Sequence, residues 1–184
     1  MCGKQIQYID DVTFARKYDF VQAHFAFIDP ETLYDVFGLL ETMEEIYDEF
    51  QFDGVMIYPY NSLTINQKKL GKVSTHEYHY EATSHIRVFC KKFNATVILN
   101  THPVTEALRK VHYKGHPYEG HPMPPMASDV EGGGKFVNRC DEFVVIARYT
   151  MHETDWIFTD IHIRKVKELE TGGRPTPLDS PIRL

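Results

Sequence analysis

The chain has 184 residues, with 20 Lys and Arg against 26 Asp and Glu, a formal charge of −6, and 42% hydrophobic against 25% charged residues. These proportions belong to one globular domain able to bury roughly 70% of the surface its unfolded chain exposes, and they exclude disordered, fibrous and collagen-like classes. No apolar run approaches the roughly 20 residues of a membrane helix, no signal-type apolar stretch follows Met1, and Cys2, Cys90 and Cys140 are too few and too scattered for a disulfide framework; a cytoplasmic protein with reduced thiols is expected.

Along the chain, Val21–Ile28 is short and rich in aromatic and apolar residues, and reads as a strand. Asp29-Pro30-Glu31 then has the order of a helix start: cap, Pro at the first helical position, acid in the first turn. Leu33, Val36, Phe37, Leu40, Met43, Ile46, Tyr47 and Phe50 recur at spacings of three and four, with Glu41, Glu44, Glu45 and Asp48 on the opposite face, so a helix of about five turns is predicted. Val55–Tyr58 reads as a second strand, ended by Pro59. Ser74 and Glu77 have capping-box spacing, and Ala82, Ile86, Phe89, Cys90 and Phe93 continue a helix that stops near Asn94. Ala95–Asn100 is a β-branched run and a third strand.

Residues 103–127 hold five of the ten prolines together with His112, His116 and His121, and form a long loop. A short helix near Asp129–Arg139, strands at Glu142–Ala147 and Trp156–Val166, a turn at Thr171-Gly172-Gly173 and an irregular tail over 171–184 complete the order. Alternating strands and helices predict an α/β fold in one domain, mainly a parallel sheet flanked by helices, with the last two strands as an antiparallel pair.

In open parallel sheets ligands bind beyond the carboxyl ends of the strands, which singles out Tyr58, Asn61, His102 and Arg148. Ser128–Lys135 sets Asp129 and Glu131 before Gly132, Gly133 and Gly134, with Lys135 next, a pattern that lets backbone approach a phosphate or merely connects two elements. Lys165 and Lys167 alternate with Val166 at a strand end, gripping an anion or decorating a wet edge. Residues 1–60 balance at −9 and residues 61–184 at +3, so the second part is the one suited to an anionic partner. His112, His116 and His121 raise a zinc alternative, weakened by the absence of a Cys pair and by Pro117 and Pro122.

Taken in order, Phe52–Leu63, Asn94–Pro103, Ser128–Arg148 and Lys165-Val166-Lys167 resemble the RecA-like P-loop NTPase core of hexameric replicative helicases of the DnaB/Twinkle type, from about Phe52 to Gly172. The resemblance implies ATP-driven translocation on single-stranded DNA and duplex unwinding in a hexameric ring, with ATP and Mg²⁺ as cofactors. It implies Tyr58, Asn61, His102 and Arg148 at the nucleotide, and His102, Lys165 and Lys167 in catalysis, the lysines acting on a neighbouring subunit's phosphates. Asp129, Glu131, Gly132, Gly133, Gly134, Lys135 and Asn138 fall on the motif that follows DNA phosphates.

Three departures accompany it. No G-x-x-x-x-G-K-[ST] occurs, and Cys2-Gly3-Lys4-Gln5 does not replace it. Tyr58 stands where the family has an aspartate that holds Mg²⁺, and Lys167 stands where it usually has arginine. The chain is therefore expected to be the C-terminal part of such a core, inactive as an ATPase by itself and with an open sheet edge prone to self-association. The alternatives are a naturally degenerate RecA-like module that binds DNA or an assembly, and a histidine-loop metal protein.

Overall fold

The computed structural model describes residues 8–28, 34–66, 68, 71, 74–130 and 134–184. Cys2, the Cys2–Gln5 stretch, Asp29-Pro30-Glu31, Leu33, Glu131, Gly132 and Gly133 lie outside the described residues. Helices α1 (Asp11–His24), α2 (Val36–Ile46), α3 (Thr75–Phe93), α4 (Gly134–Arg139) and the short α5 (Leu169–Gly172) accompany strands β1 (Gly54–Ile57), β2 (Thr96–Leu99), β3 (Glu142–Ala147), β4 (Asp160–Val166) and β5 (Ile182–Arg183).

The first correction concerns residues 21–28. Val21–His24 form the last turn of α1 instead of a strand, and residues 25–28 are irregular. Asp10 caps this helix by accepting the Thr13 N–H, and Phe20 stacks on His24 one turn later at 4.3 Å. A short apolar run has no period of its own, so the preceding cap and the i,i+4 pair decide. No residue of α1 is buried.

From α2 onward local rules and packing agree on which residues are buried, although α2 runs only from Val36 to Ile46, about three turns where five are expected, and residues 47–50 form turns. Asp35 caps α2 through the Phe37 and Gly38 N–H groups, and Val36, Phe37, Leu40 and Met43 are buried while Glu41, Glu44, Glu45 and Asp48 face water. Ser74 and Glu77 form both halves of the capping box on α3, and Asn94 ends it in the left-handed conformation at φ 49°. One aromatic core joins the two helices: Phe37 meets Tyr78 edge-on at 5.7 Å, and Phe52, Phe89 and Phe93 stack beneath. Val55, Val97 and Leu99 pack their inner faces on this core.

The class is mixed α/β, and a mainly parallel sheet is the second correction. Among the described residues, β1 and β2 form a two-stranded parallel sheet in register Gly54–Thr96 to Ile57–Leu99, and β3–β4–β5 form a separate antiparallel sheet. Helices cover only one face of the parallel pair, so the paired Met56 and Ile98 on the other face stay 59% and 55% exposed. The 171–184 tail is likewise more regular than expected. Gly173 at φ +82° turns the chain after α5, and Ile182–Arg183 add a strand to β4.

One irregularity shapes the second sheet. Phe143 pairs with Lys165 and Val144 with Ile163, so Arg164 is an extra residue, a bulge in β4. It brings Lys165 to the inner side, where its ammonium donates to the Val137 and Cys140 carbonyls at 2.6 and 2.7 Å.

Candidate functional site at the carboxyl ends of the parallel strands

β1 and β2 run side by side and leave the sheet at the same end. Beyond β1, Tyr60–Ser62 make one 3₁₀ turn, and the Tyr60 N–H donates to the Asn100 carbonyl at 2.8 Å. Asn61 then crosses to the second strand: its Oδ1 accepts the Thr101 hydroxyl at 2.8 Å and the His102 N–H at 3.0 Å. The Asn61 side chain thus clamps the exits of both strands. Pro103 and Val130 form an isolated bridge, with the Val104 N–H donating to the Asp129 carbonyl, so the 127–130 turn is fastened to the same end.

A cleft of about 270 Å³ opens there, lined by Tyr60, Asn61, Thr75, Tyr78, His79 and Lys135 with apolar walls from Val36, Leu63 and Ile65. Tyr60 is buried, and its hydroxyl lies 2.8 Å from His79 Nδ1. Burial, with Tyr78 close by, pushes the Tyr60 hydroxyl far above the usual phenol range. Phe136 packs edge-on against Tyr60 at 5.1 Å and fixes α4, which carries Lys135 to the rim.

The structure brings Asn61, the His102 backbone and Lys135 to this one end, although the sequence assigns them to different ligands. His102 itself is exposed, and Tyr58 is 68% exposed in the turn after β1. Arg148 sits past the end of β3 in the second sheet and donates to the Trp156 carbonyl at 2.8 Å. Asp129 is 5% exposed and turned inward: it accepts Lys110 Nζ at 2.5 Å and the Met126 N–H at 2.8 Å, bonds that hold its carboxyl below the usual range. Gly134 opens α4 and Asn138 is exposed on it. Lys165 is committed to two carbonyls, whereas the Lys167 ammonium makes an exposed pair with Asp141 at 3.0 Å, the kind worth roughly 0–1 kcal/mol and so easily exchanged for another anion.

The donor set does not fit a magnesium ion. Among the described residues, no carboxylate lines the cleft and no group of three His, Cys, Asp or Glu could hold a metal.

The 103–127 loop is ordered by a second polar cluster. His112 Nε2 lies 2.9 Å from the Tyr149 hydroxyl, His112 stacks on His116 at 4.0 Å, and Tyr118 stacks on Tyr149 at 3.9 Å. Tyr118 donates to Asp155 at 2.6 Å, and Arg183 from β5 pairs with both Asp155 and the buried Asp160. His116 Nδ1 accepts the Tyr118 N–H at 3.0 Å. The histidines stack and bond to tyrosines and backbone; their nitrogens do not converge as zinc ligands.

Sequence reasoning missed Tyr60, Tyr78 and His79. His79 lies three and seven residues before Ala82 and Ile86, on the buried stripe of α3, a signal that would have placed it inward. Among the described residues, no helix is long and apolar enough to cross a membrane. Comparison with protein-family models and with curated proteins finds no match to this chain.

Proposed function

We propose that the chain is the C-terminal part of a RecA-like helicase core of the DnaB/Twinkle type, serving nucleotide-driven movement on single-stranded DNA in a ring of subunits, and that by itself it binds DNA without hydrolysing ATP. The observation that carries the reading is the Asn61 clamp, which gathers the stretches 58–63, 100–103 and 127–135 at the carboxyl end of two parallel strands. The division into two sheets also supports it. Among the described strands, β2 and β3 are each paired on one side only, as expected where a middle strand belongs to the phosphate-loop unit. A carboxylate-free cleft and the lack of a G-x-x-x-x-G-K-[ST] motif favour, as a second reading, a non-catalytic DNA-binding module of the same fold.

The test is binding of a labelled single-stranded oligonucleotide over a salt series, alongside an ATPase assay on the same protein. Salt-dependent binding without hydrolysis is expected. Absence of binding at low salt sinks the DNA reading, and hydrolysis abolished by His102→Ala overturns the expected inactivity.

A further inference from the structure

The second sheet buries donors that the chain leaves unanswered. Arg164 is the extra residue of the β4 bulge, and bulges re-aim the side chains they carry. Its Nε and Nη1 atoms are shut off from solvent and have no hydrogen-bond partner among the described residues. The same holds for both ring nitrogens of His162, two residues earlier and 3% exposed. Native proteins leave few such atoms unpaired, and a bound water or ion is a common reason. A guanidinium keeps its charge at any physiological pH, so the partner Arg164 calls for is an acceptor, and a negative one best offsets the cost of burying it. Neither nearby carboxylate fills that place. The buried Asp160 is spent on Arg183, which donates from Nε at 2.7 Å and from Nη2 at 2.8 Å. Asp179 acts on Arg164 from the exposed tail without reaching its buried nitrogens. At the His162 ring the positive charge of Arg164 outweighs the negative charge of Asp160, so the local field favours an anion.

We propose that Arg164 and His162 form a binding site for one small monovalent anion of the halide class, held by the Nε–H and Nη1–H groups of the guanidinium and by the N–H of a neutral imidazole. One guanidinium balances one negative charge, and a halide sheds its water more readily than phosphate or sulfate, which suits a place this buried. The site lies where three parts of the molecule meet. Tyr149, which feels the Arg164 charge, is hydrogen-bonded to His112 of the 103–127 loop, and Thr176 of the tail bonds the β4 backbone at Ile163. The anion thus latches β4, the loop and the tail together. The site shares no residue with the cleft at the Asn61 clamp, and it needs neither DNA nor nucleotide.

The test follows thermal unfolding of the full chain as chloride replaces gluconate at constant ionic strength, at about pH 7.5, where His112 and His162 are both neutral. Chloride line broadening in ³⁵Cl NMR reads the bound ion directly on the same samples. For a dissociation constant of about 10 mM, about 100 mM chloride should raise the wild-type midpoint by roughly 3–6 °C and then level off. Arg164→Met should abolish both responses. Without chloride it should melt no lower than wild type, because it removes an unpaired buried charge, and in chloride it should melt below it. Arg164→Lys keeps the charge but gives up the Nε–H, so half-saturation should move to higher chloride, which locates the site even if the Met variant does not fold. Arg174→Met, on the exposed tail, should keep the full response. Equal wild-type midpoints in chloride and gluconate mean that water alone completes the donors, and overturn the site. So does a chloride response that survives Arg164→Met, is unmoved by Arg164→Lys, or is lost equally in Arg174→Met. Asp179→Asn lowering the chloride-free midpoint of wild type but not that of Arg164→Met makes the tail carboxylate the counter-ion, and also overturns it.

Discussion

The histidines around the 103–127 loop make stability depend on pH in a window set by their burial. His112 is 8% exposed, and burial, with His116 and His121 close by, lowers its pKa below the ordinary histidine value, while Asp179 pulls weakly the other way. His162 on β4 is 3% exposed with no hydrogen-bond partner on either ring nitrogen. Burial and the Arg164 charge lower its pKa too, against the pull of Asp160. Both rings are neutral in the folded protein at a pH where the unfolded chain protonates them. Their contribution is therefore complete above about pH 6.5 and is lost as pH falls from there through the folded-state values. Each proton taken up only by the unfolded chain tilts the free energy by about 1.4 kcal/mol per pH unit, so the pair gives a slope approaching 2.7 kcal/mol per unit, roughly, against a total stability of some 5–15 kcal/mol. The carboxyls of Asp129, Asp141 and Asp155, all held low by their partners, act below pH 4, about, and leave the histidine window clean. Urea unfolding between pH 7.5 and 5.5 should show this slope in wild type and about half of it in His112→Gln, whose amide can still meet the Tyr149 hydroxyl. A flat wild-type profile, or equal slopes in the two proteins, would refute the assignment.

Three further outcomes are expected. Phe89→Ala, at 2% exposure in the centre of the aromatic core, should lower unfolding stability by about 3–5 kcal/mol, read by urea denaturation. Arg183→Met strips the bidentate partner from Asp160, which is 3% exposed, and should cost about 3–5 kcal/mol; adding Asp160→Asn should recover much of it, and a double-mutant cycle measures the coupling. Asn61→Ala unfastens the ends of β1 and β2 for about 1–3 kcal/mol, and amide exchange at His102 should rise far more than exchange in α3.

Much of the fold was legible where local chemistry and tertiary packing agree. The Ser74–Glu77 box, the Asn94 stop and the buried stripes of α2 and α3 could be read directly, because a cap and a 3.6-residue period carry their own evidence. Val21–His24 misled because a run that short has no period, and only the Asp10 cap upstream settles its state. The division into two sheets could not be read, since strand pairing is non-local and nothing in EFVVIA or TVIL says which neighbour each will find. At the site, the rule that ligands gather at strand ends points to the end of the sheet where Asn61 and His102 lie, whereas Asp129, assigned to the motif that follows DNA phosphates, is turned inward. Its partner Lys110 lies 19 residues away, and a salt bridge of that span has no sequence signature. The pairing of Tyr60 with His79 also went unread: the α3 stripe marks His79 as inward, but its partner in a 3₁₀ turn 19 residues earlier has no sequence signature.

The extra residue at Arg164 has a consequence for how β4 is spelled. Val145 and Phe143 stand two apart on β3, yet their partners His162 and Lys165 stand three apart on β4. The strand therefore changes parity midway: up to Ile163 even-numbered residues point to the core, and at Lys165 an odd-numbered one does. Deleting Arg164 would leave Lys165 directly after Ile163, still opposite Phe143 and on the inner face, with its ammonium toward the carbonyls that hold it to α4, and would turn the strand into plain alternation. The bulge is thus a punctuation mark: it shifts the numbering of the inward letters without changing which of them face the core.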